Sequence, residues 1–153
     1  MTAGGPERAR AVVDGNDYMT LATADAGGTP WASPVWFAHD GYREVVWASR
    51  PGARHSRNVA ARPEVGIVVF DSTVPVGAAV AVYLEARARP VGEDGPDLAR
   101  LIAAYSRRSE ARGGPAWGPA DVTGGAAHRL YAARVTAAWL LAGDDRRHAL
   151  DLA

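Results

Sequence analysis

Three short apolar segments joined by two tight turns constrain this chain most. Tyr18–Ala24, Trp31–Ala38 and Arg43–Ser49 each read as a strand. Asp25-Ala26-Gly27-Gly28-Thr29 and His39-Asp40-Gly41 separate them. Glycine tolerates the positive φ that hairpin turns require, so consecutive strands joined this way lie antiparallel. Pro34 has no N–H to give a ladder, so the second strand is interrupted, bulged or at an edge. Further on, Val65–Phe70 is a continuous apolar run, as expected of a strand buried on both faces. Val80–Arg89 alternates, and His128–Leu141 carries Tyr131, Val135, Trp139 and Leu141 on one face.

Helices fall around these strands. Pro6 opens a short one that runs to about Asp14. A second spans about Ala53–Ala61 and is stopped by Pro63. A third runs from about Pro96 to Arg108, with Leu98, Leu101, Ile102 and Tyr105 as its apolar stripe. Residues 109–127 read as a long loop containing Trp117, and residues 142–153 as a loosely held tail. Six hairpin-linked strands with three helices suit a mainly β (α+β) chain: a closed or half-closed antiparallel barrel with peripheral helices.

At 153 residues, the chain has the length of one ordinary domain. It contains no Cys, which excludes a disulfide framework and a thiolate metal site and fits a cytoplasmic setting. Formal net charge is zero, so nothing points to nucleic acid or an acidic membrane. No apolar run nears the ~20 residues of a membrane helix, and the N-terminus has no signal-peptide core. No His and carboxylate group has metal-ligand spacing, so no metal site is expected. All 17 basic residues are Arg. Any role a lysine would fill therefore falls to Arg or His.

One segment carries most of the chemistry. Ser49 closes the third strand, Arg50-Pro51-Gly52-Ala53 turns, and the helix opens with Arg54-His55-Ser56-Arg57. Guanidinium groups present planar forks of donors, and a helix N-terminus adds free N–H groups and a positive dipole end. That combination suits a phosphate. The rival reading is the solvated face of a surface helix. Arg62, at the helix C-terminus, fits a dipole partner better. Trp36 and Trp47 read either as core aromatics or as ligand contacts, Trp117 as a ligand or subunit contact, and Trp139 as core or subunit packing.

Several pieces together resemble the pyridoxamine 5′-phosphate oxidase-like, FMN-binding split-barrel family. They are Pro30–Phe37, Trp47-Ala48-Ser49, Arg54–Asn58, Arg62–Val65, Phe70-Asp71-Ser72 and Tyr83–Ala86. The resemblance covers roughly residues 17–141 and implies that residues 1–153 form a single six-stranded split barrel. It also implies a homodimer with the cofactor, FMN or the deazaflavin F420, in a groove at the subunit interface. Ser33, Pro34, Val35 and Trp36 would then lie along the ring. Ser49, Arg54 and His55, with Ser56 and Arg57 beside them, would hold the phosphate. His55 stands where the family usually has Lys. The oxidase's substrate residues are matched only in part, by Arg146 and His148, and more faintly by Tyr105, Arg108 and Ser109. The activity implied is flavin-dependent hydride transfer to or from a small organic substrate. The alternatives are an F420-dependent reductase and a non-catalytic flavin- or haem-binding protein on the same barrel. No side chain stands out as a catalytic proton donor.

Overall fold

A computed structural model describes residues 4–153. Helix α1 (Gly5–Gly15) opens with Pro6, whose missing N–H costs nothing in a first turn. It buries Ala9 and Val13 against the barrel. Strands β1 (Tyr18–Ala24), β2 (Pro30–Trp36), β3 (Ala38–Asp40) and β4 (Glu44–Ser49) follow, then α2 (Arg54–Ala61), β5 (Glu64–Phe70) and β6 (Ala81–Pro90). Helix α3 (Asp97–Ala111), a 3-10 turn at Pro119–Asp121, and strands β7 (Arg129–Leu141) and β8 (Arg147–Leu150) complete the order. All strands belong to one antiparallel sheet in the order β2-β1-β5-β6-β7-β4-β3, with β8 added to β7. The sheet curls into a half-open barrel. The six strands read from sequence are present, but the second, read as Trp31–Ala38, breaks at Phe37, and the His39-Asp40 read as turn falls in β3, which pairs with β4 at the far end of the sheet from β2; β8 is additional.

Two apolar layers result. Met19, Leu21, Ile67, Trp47 and Tyr131 fill the barrel interior, with Trp47 and Tyr131 stacked at 5.9 Å. Outside the barrel wall, Leu98, Leu101, Ile102 and Tyr105 of α3 pack on Val46, Leu130 and Ala132. Strand β4 is therefore buried on both faces, and so is the Leu130–Ala133 half of β7 beside it. The expectation placed β5 there, and the structure corrects it. Val65, Ile67 and Val69 point inward, whereas Gly66 and Val68 are half-exposed and Phe70 is exposed. Apolar composition alone could not tell which strand a helix would cover.

The register shifts between Glu85 and Ala86 of β6, which face Ala137 and Val135. Thr136 is the extra residue, and its hydroxyl donates to the Glu85 carbonyl at 3.1 Å. Because strand side chains alternate with period two, one inserted residue inverts the pattern beyond it. Tyr131 and Ala133 point into the barrel before the bulge, and Ala138 and Leu140 after it. The single face expected for Tyr131, Val135, Trp139 and Leu141 does not exist. Trp139 is turned to the outer wall.

The tail is docked rather than loose. Strand β8 pairs with β7, Leu152 is buried in the barrel cluster, and Arg10 Nε donates to the Leu152 carbonyl at 2.9 Å. Helix α3 is tied to the sheet by charge. Glu44 is buried at the start of β4. Its Oε1 accepts from Arg100 Nη2 at 2.9 Å, and its Oε2 lies 2.9 Å from Arg89 as an ion pair without hydrogen-bond angles. Arg108 of α3 donates to the carbonyls of Val13 (3.2 Å) and Asn16 (2.6 Å), and Arg112 to that of Asp14. Two cations thus satisfy the orphan carbonyls at the end of α1, which has no basic residue in its own last turn. Among the described residues, no helix is long and apolar enough to cross a membrane.

Candidate phosphate-binding site

The end of β4 delivers Ser49 to the mouth of the barrel, on the interior face it shares with Trp47. The turn 50–53 then reverses the chain into α2. Arg57 donates to the Gly52 carbonyl and locks that turn. One Arg57 N–H is thereby used on the backbone. Arg62 likewise uses one, donating to the Ala26 carbonyl in the β1–β2 turn at 2.9 Å.

Ser49 at the end of β4, and Arg54, His55, Ser56 and the first N–H groups of α2, remain to meet a ligand. Ser49 Oγ and His55 Nε2 are 2.7 Å apart. Burial pushes the His55 imidazole below its ordinary value, which favours the neutral ring. Ser56 is 3 % exposed, and its Oγ is buried with no hydrogen-bond partner. A buried hydroxyl left unpaired costs on the order of 1–3 kcal/mol, so this one calls for a partner. The helix also has no side-chain cap at Ala53. Its first N–H groups are thus free to meet an anion. Arg54 makes no side-chain hydrogen bond among the described residues. Its guanidinium lies 4.2 Å over the Trp31 ring.

The helix is held in place by a buried polar contact. Asn58 Nδ2 donates to Thr23 Oγ1 at 3.0 Å, and both residues are buried. Thr23 faces Trp31 across β1–β2. Arg54 and Asn58 lie one turn apart on α2, so one helix face meets both members of a single cross-strand pair. Neither Trp31 nor Thr23 stood out in the sequence. Counting the register back from the turn at residues 25–29 would have placed them opposite each other.

The residues expected along a cofactor ring separate by parity. Ser33 and Val35 are buried toward the barrel, Pro34 is exposed, and Trp36 packs edge-on against Tyr105 at 5.1 Å. Strand β2 ends the sheet, so its outer backbone edge has no strand partner. Trp47 is core. Trp117 joins a row of edge-to-face contacts, with Tyr105 at 5.2 Å and His128 at 6.2 Å. Its N–H donates to Ser106 Oγ at 2.8 Å, which fastens the long loop to α3.

The faint oxidase substrate set is used structurally. Tyr105 is buried in the aromatic row, and burial pushes its hydroxyl up to about 12. Arg108 caps α1, and Ser109 donates to the Pro115 carbonyl at 2.7 Å. His148 is bound to Asp144 at 2.6 Å in the β7–β8 turn. Ser49 pairs with Arg129 at one end of β7, and Arg147 pairs with Leu141 at the other. At ~3.3 Å per residue β7 spans at most roughly 40 Å, and Arg146 and His148 lie at the end of it opposite Ser49, so one protomer does not join them to the Ser49 end.

The sequence matches the family model for pyridoxamine 5′-phosphate oxidase over residues 6–141. No curated protein matches it. Among solved structures, a haem-binding protein from Mycobacterium smegmatis is similar at 24% identity and TM-score 0.77. That match covers 98% of this chain, which spans only 59% of the other. HutZ, the haem storage protein from Vibrio cholerae, matches at 19% identity and TM-score 0.71, over 92% of this chain and 97% of its own. An F420 reductase matches at 29% identity and TM-score 0.52, over 79% of this chain and 87% of its own. The likeness under 25% identity carries the fold, and the family match carries more: this chain belongs to the pyridoxamine 5′-phosphate oxidase family.

Proposed function

We propose that the chain is an FMN-dependent oxidoreductase that seats the cofactor's phosphate at the start of α2. The observation that carries this reading is the buried, unpartnered Ser56 hydroxyl beside an uncapped helix N-terminus and the unpaired Arg54 guanidinium. Those groups fit a phosphate in charge, donor number and burial. Ser49 and a neutral His55 add two short-range polar contacts. The free edge of β2 at Ser33, Pro34 and Val35 supplies backbone groups for the ring. FMN, when bound, supplies the hydride chemistry. The chain's residues bind and orient it and keep one ring face dry.

A second copy belongs to the same reading. Among the described residues, the outer wall of β1, β5, β6 and the Trp139 end of β7 is covered by no helix. Tyr18 and Phe70 are exposed there, and Ala22, Gly66, Val68, Tyr83 and Trp139 line a shallow depression of about 390 Å³. A homodimer would cover this wall and bring the β7–β8 end of one protomer toward the other's phosphate site.

A second cofactor, F420, is favoured by the 29% identity to an F420 reductase. Its longer anionic tail needs a basic track. Arg57 and Arg62 are already bound to carbonyls, which leaves Arg50. The test is a fluorescence titration with FMN. Arg54→Ala should weaken binding by about 1–3 kcal/mol, the range for a charged hydrogen bond. Wild-type affinity in that variant would remove the phosphate assignment. A colourless protein that reduces an enone only with added reduced F420 would replace FMN by the deazaflavin.

A further inference from the structure

We infer that Trp31 is a positioning residue that aims Arg54 at the phosphate and so sets the preference for phosphate-bearing over phosphate-free flavins. The inference rests on the FMN reading above. Trp31 is 41 % exposed on the end strand β2 and joins neither apolar layer. Core packing therefore does not explain a tryptophan here. What it does contact is the Arg54 guanidinium, 4.2 Å from its ring centroid.

Stacking uses the flat face of a guanidinium and leaves its N–H edge open, which is the edge that grips a phosphate. The alternative position for that cation is close by. Asp25 sits in the adjacent β1–β2 turn with Oδ1 bound to the Thr29 N–H at 2.9 Å, and Arg54 adds to the charge that keeps its carboxyl ionised. A guanidinium released from the indole can turn to Asp25 and be neutralised. Trp31 holds it off. The stack is also fixed in register. Asn58, one helical turn from Arg54, is bound to Thr23, and Thr23 is the cross-strand partner of Trp31. The indole and the arginine are thereby placed by the same buried anchor.

The measurement is the ratio of FMN to riboflavin affinity, from fluorescence titration, for wild type, Trp31→Leu, Trp31→Phe, Arg54→Ala and the Trp31→Leu/Arg54→Ala double variant. Trp31→Leu keeps apolar bulk and removes the π face. It should lower the ratio about 2- to 5-fold, the effect of an exposed cation–π contact. Riboflavin affinity should stay unchanged. Trp31→Phe should restore most of the ratio. The double variant should be no worse than Arg54→Ala. A Trp31→Leu protein with the wild-type ratio, or with FMN and riboflavin weakened equally, overturns the positioning role while the phosphate site stands if Arg54→Ala still loses FMN. Additive losses in the double variant also overturn it. If Arg54→Ala keeps the wild-type ratio, the phosphate reading fails and the positioning role goes with it.

Discussion

The contact between Asn58 and Thr23 should behave as a coupled pair. Both side chains are at most 5 % exposed, and Asn58 Nδ2 donates to Thr23 Oγ1 at 3.0 Å. Asn58→Leu removes a bond with a net value of about 1 kcal/mol and leaves the Thr23 oxygen without its donor, for about 1 kcal/mol more. Thr23→Val keeps the shape of the side chain and strands the Asn58 amide instead, at a similar cost of ~2 kcal/mol. For a chain of this length each kcal/mol lowers Tm by roughly 2–4 °C, so each single variant should melt about 4–8 °C below wild type. If the effects simply added, the double variant would lose ~4 kcal/mol. With both polar ends of this bond gone, what else is lost is the long Thr23 donation to the Trp31 carbonyl at 3.3 Å, so the loss should be about 1–2 kcal/mol, a coupling of ~2–3 kcal/mol. Urea denaturation of the four proteins measures the cycle. Additive losses, or single variants within 1 °C of wild type by calorimetry (a bound of about 0.5 kcal/mol), would refute the claim that this bond anchors α2.

Three other outcomes follow from the same contacts. Leu152→Ala should destabilise by about 2–3 kcal/mol in urea melts, because Leu152 is 3 % exposed within the barrel cluster. A loose tail would give no change. Burial holds His55 below its ordinary 6.5, so as pH falls the unfolded chain takes up this proton before the native protein does. Stability should hold above pH 6.5 and decline from there toward the lower native value. His55→Gln should flatten that part of the Tm–pH curve, and an unchanged slope would count against it. Arg108→Ala should cost about 1.5–3 kcal/mol by removing a charged donor from the Val13 and Asn16 carbonyls. The loss should appear first as faster amide exchange in α1.

What the sequence revealed depended on how local each feature was. The strands Tyr18–Ala24 and Arg43–Ser49 and the helix after them are local patterns, and they appear where expected, whereas the Trp31–Ala38 strand breaks at Phe37 and the His39-Asp40 read as turn lies in β3. One strand, one turn and one helix start bring Ser49, Arg54, His55 and Ser56 together. Other misreadings involve partners distant in sequence. Val65–Phe70 has the composition of a doubly buried strand, yet α3 chose β4. The parity of β7 inverts at Thr136 because of a bulge against Glu85, fifty-one residues away. Arg62, read as a dipole partner of its own helix, donates instead to the Ala26 carbonyl thirty-six residues away.

The same distinction bears on how the site works. The residues that would touch the phosphate are contiguous, but those that hold them still are not. Thr23 and Trp31 reach α2 from a hairpin that the chain completes before β4 and α2 begin. Substitutions at Thr23 and Trp31 should therefore change ligand affinity without removing any group that touches the ligand, and they should do so through Arg54 and Asn58. A barrel whose site is assembled locally and braced at long range can vary its bracing while keeping its ligands. For this chain the bracing is the Thr23–Trp31 pair, and it is there, more than at Arg57 or Arg62, that differences in cofactor preference should arise.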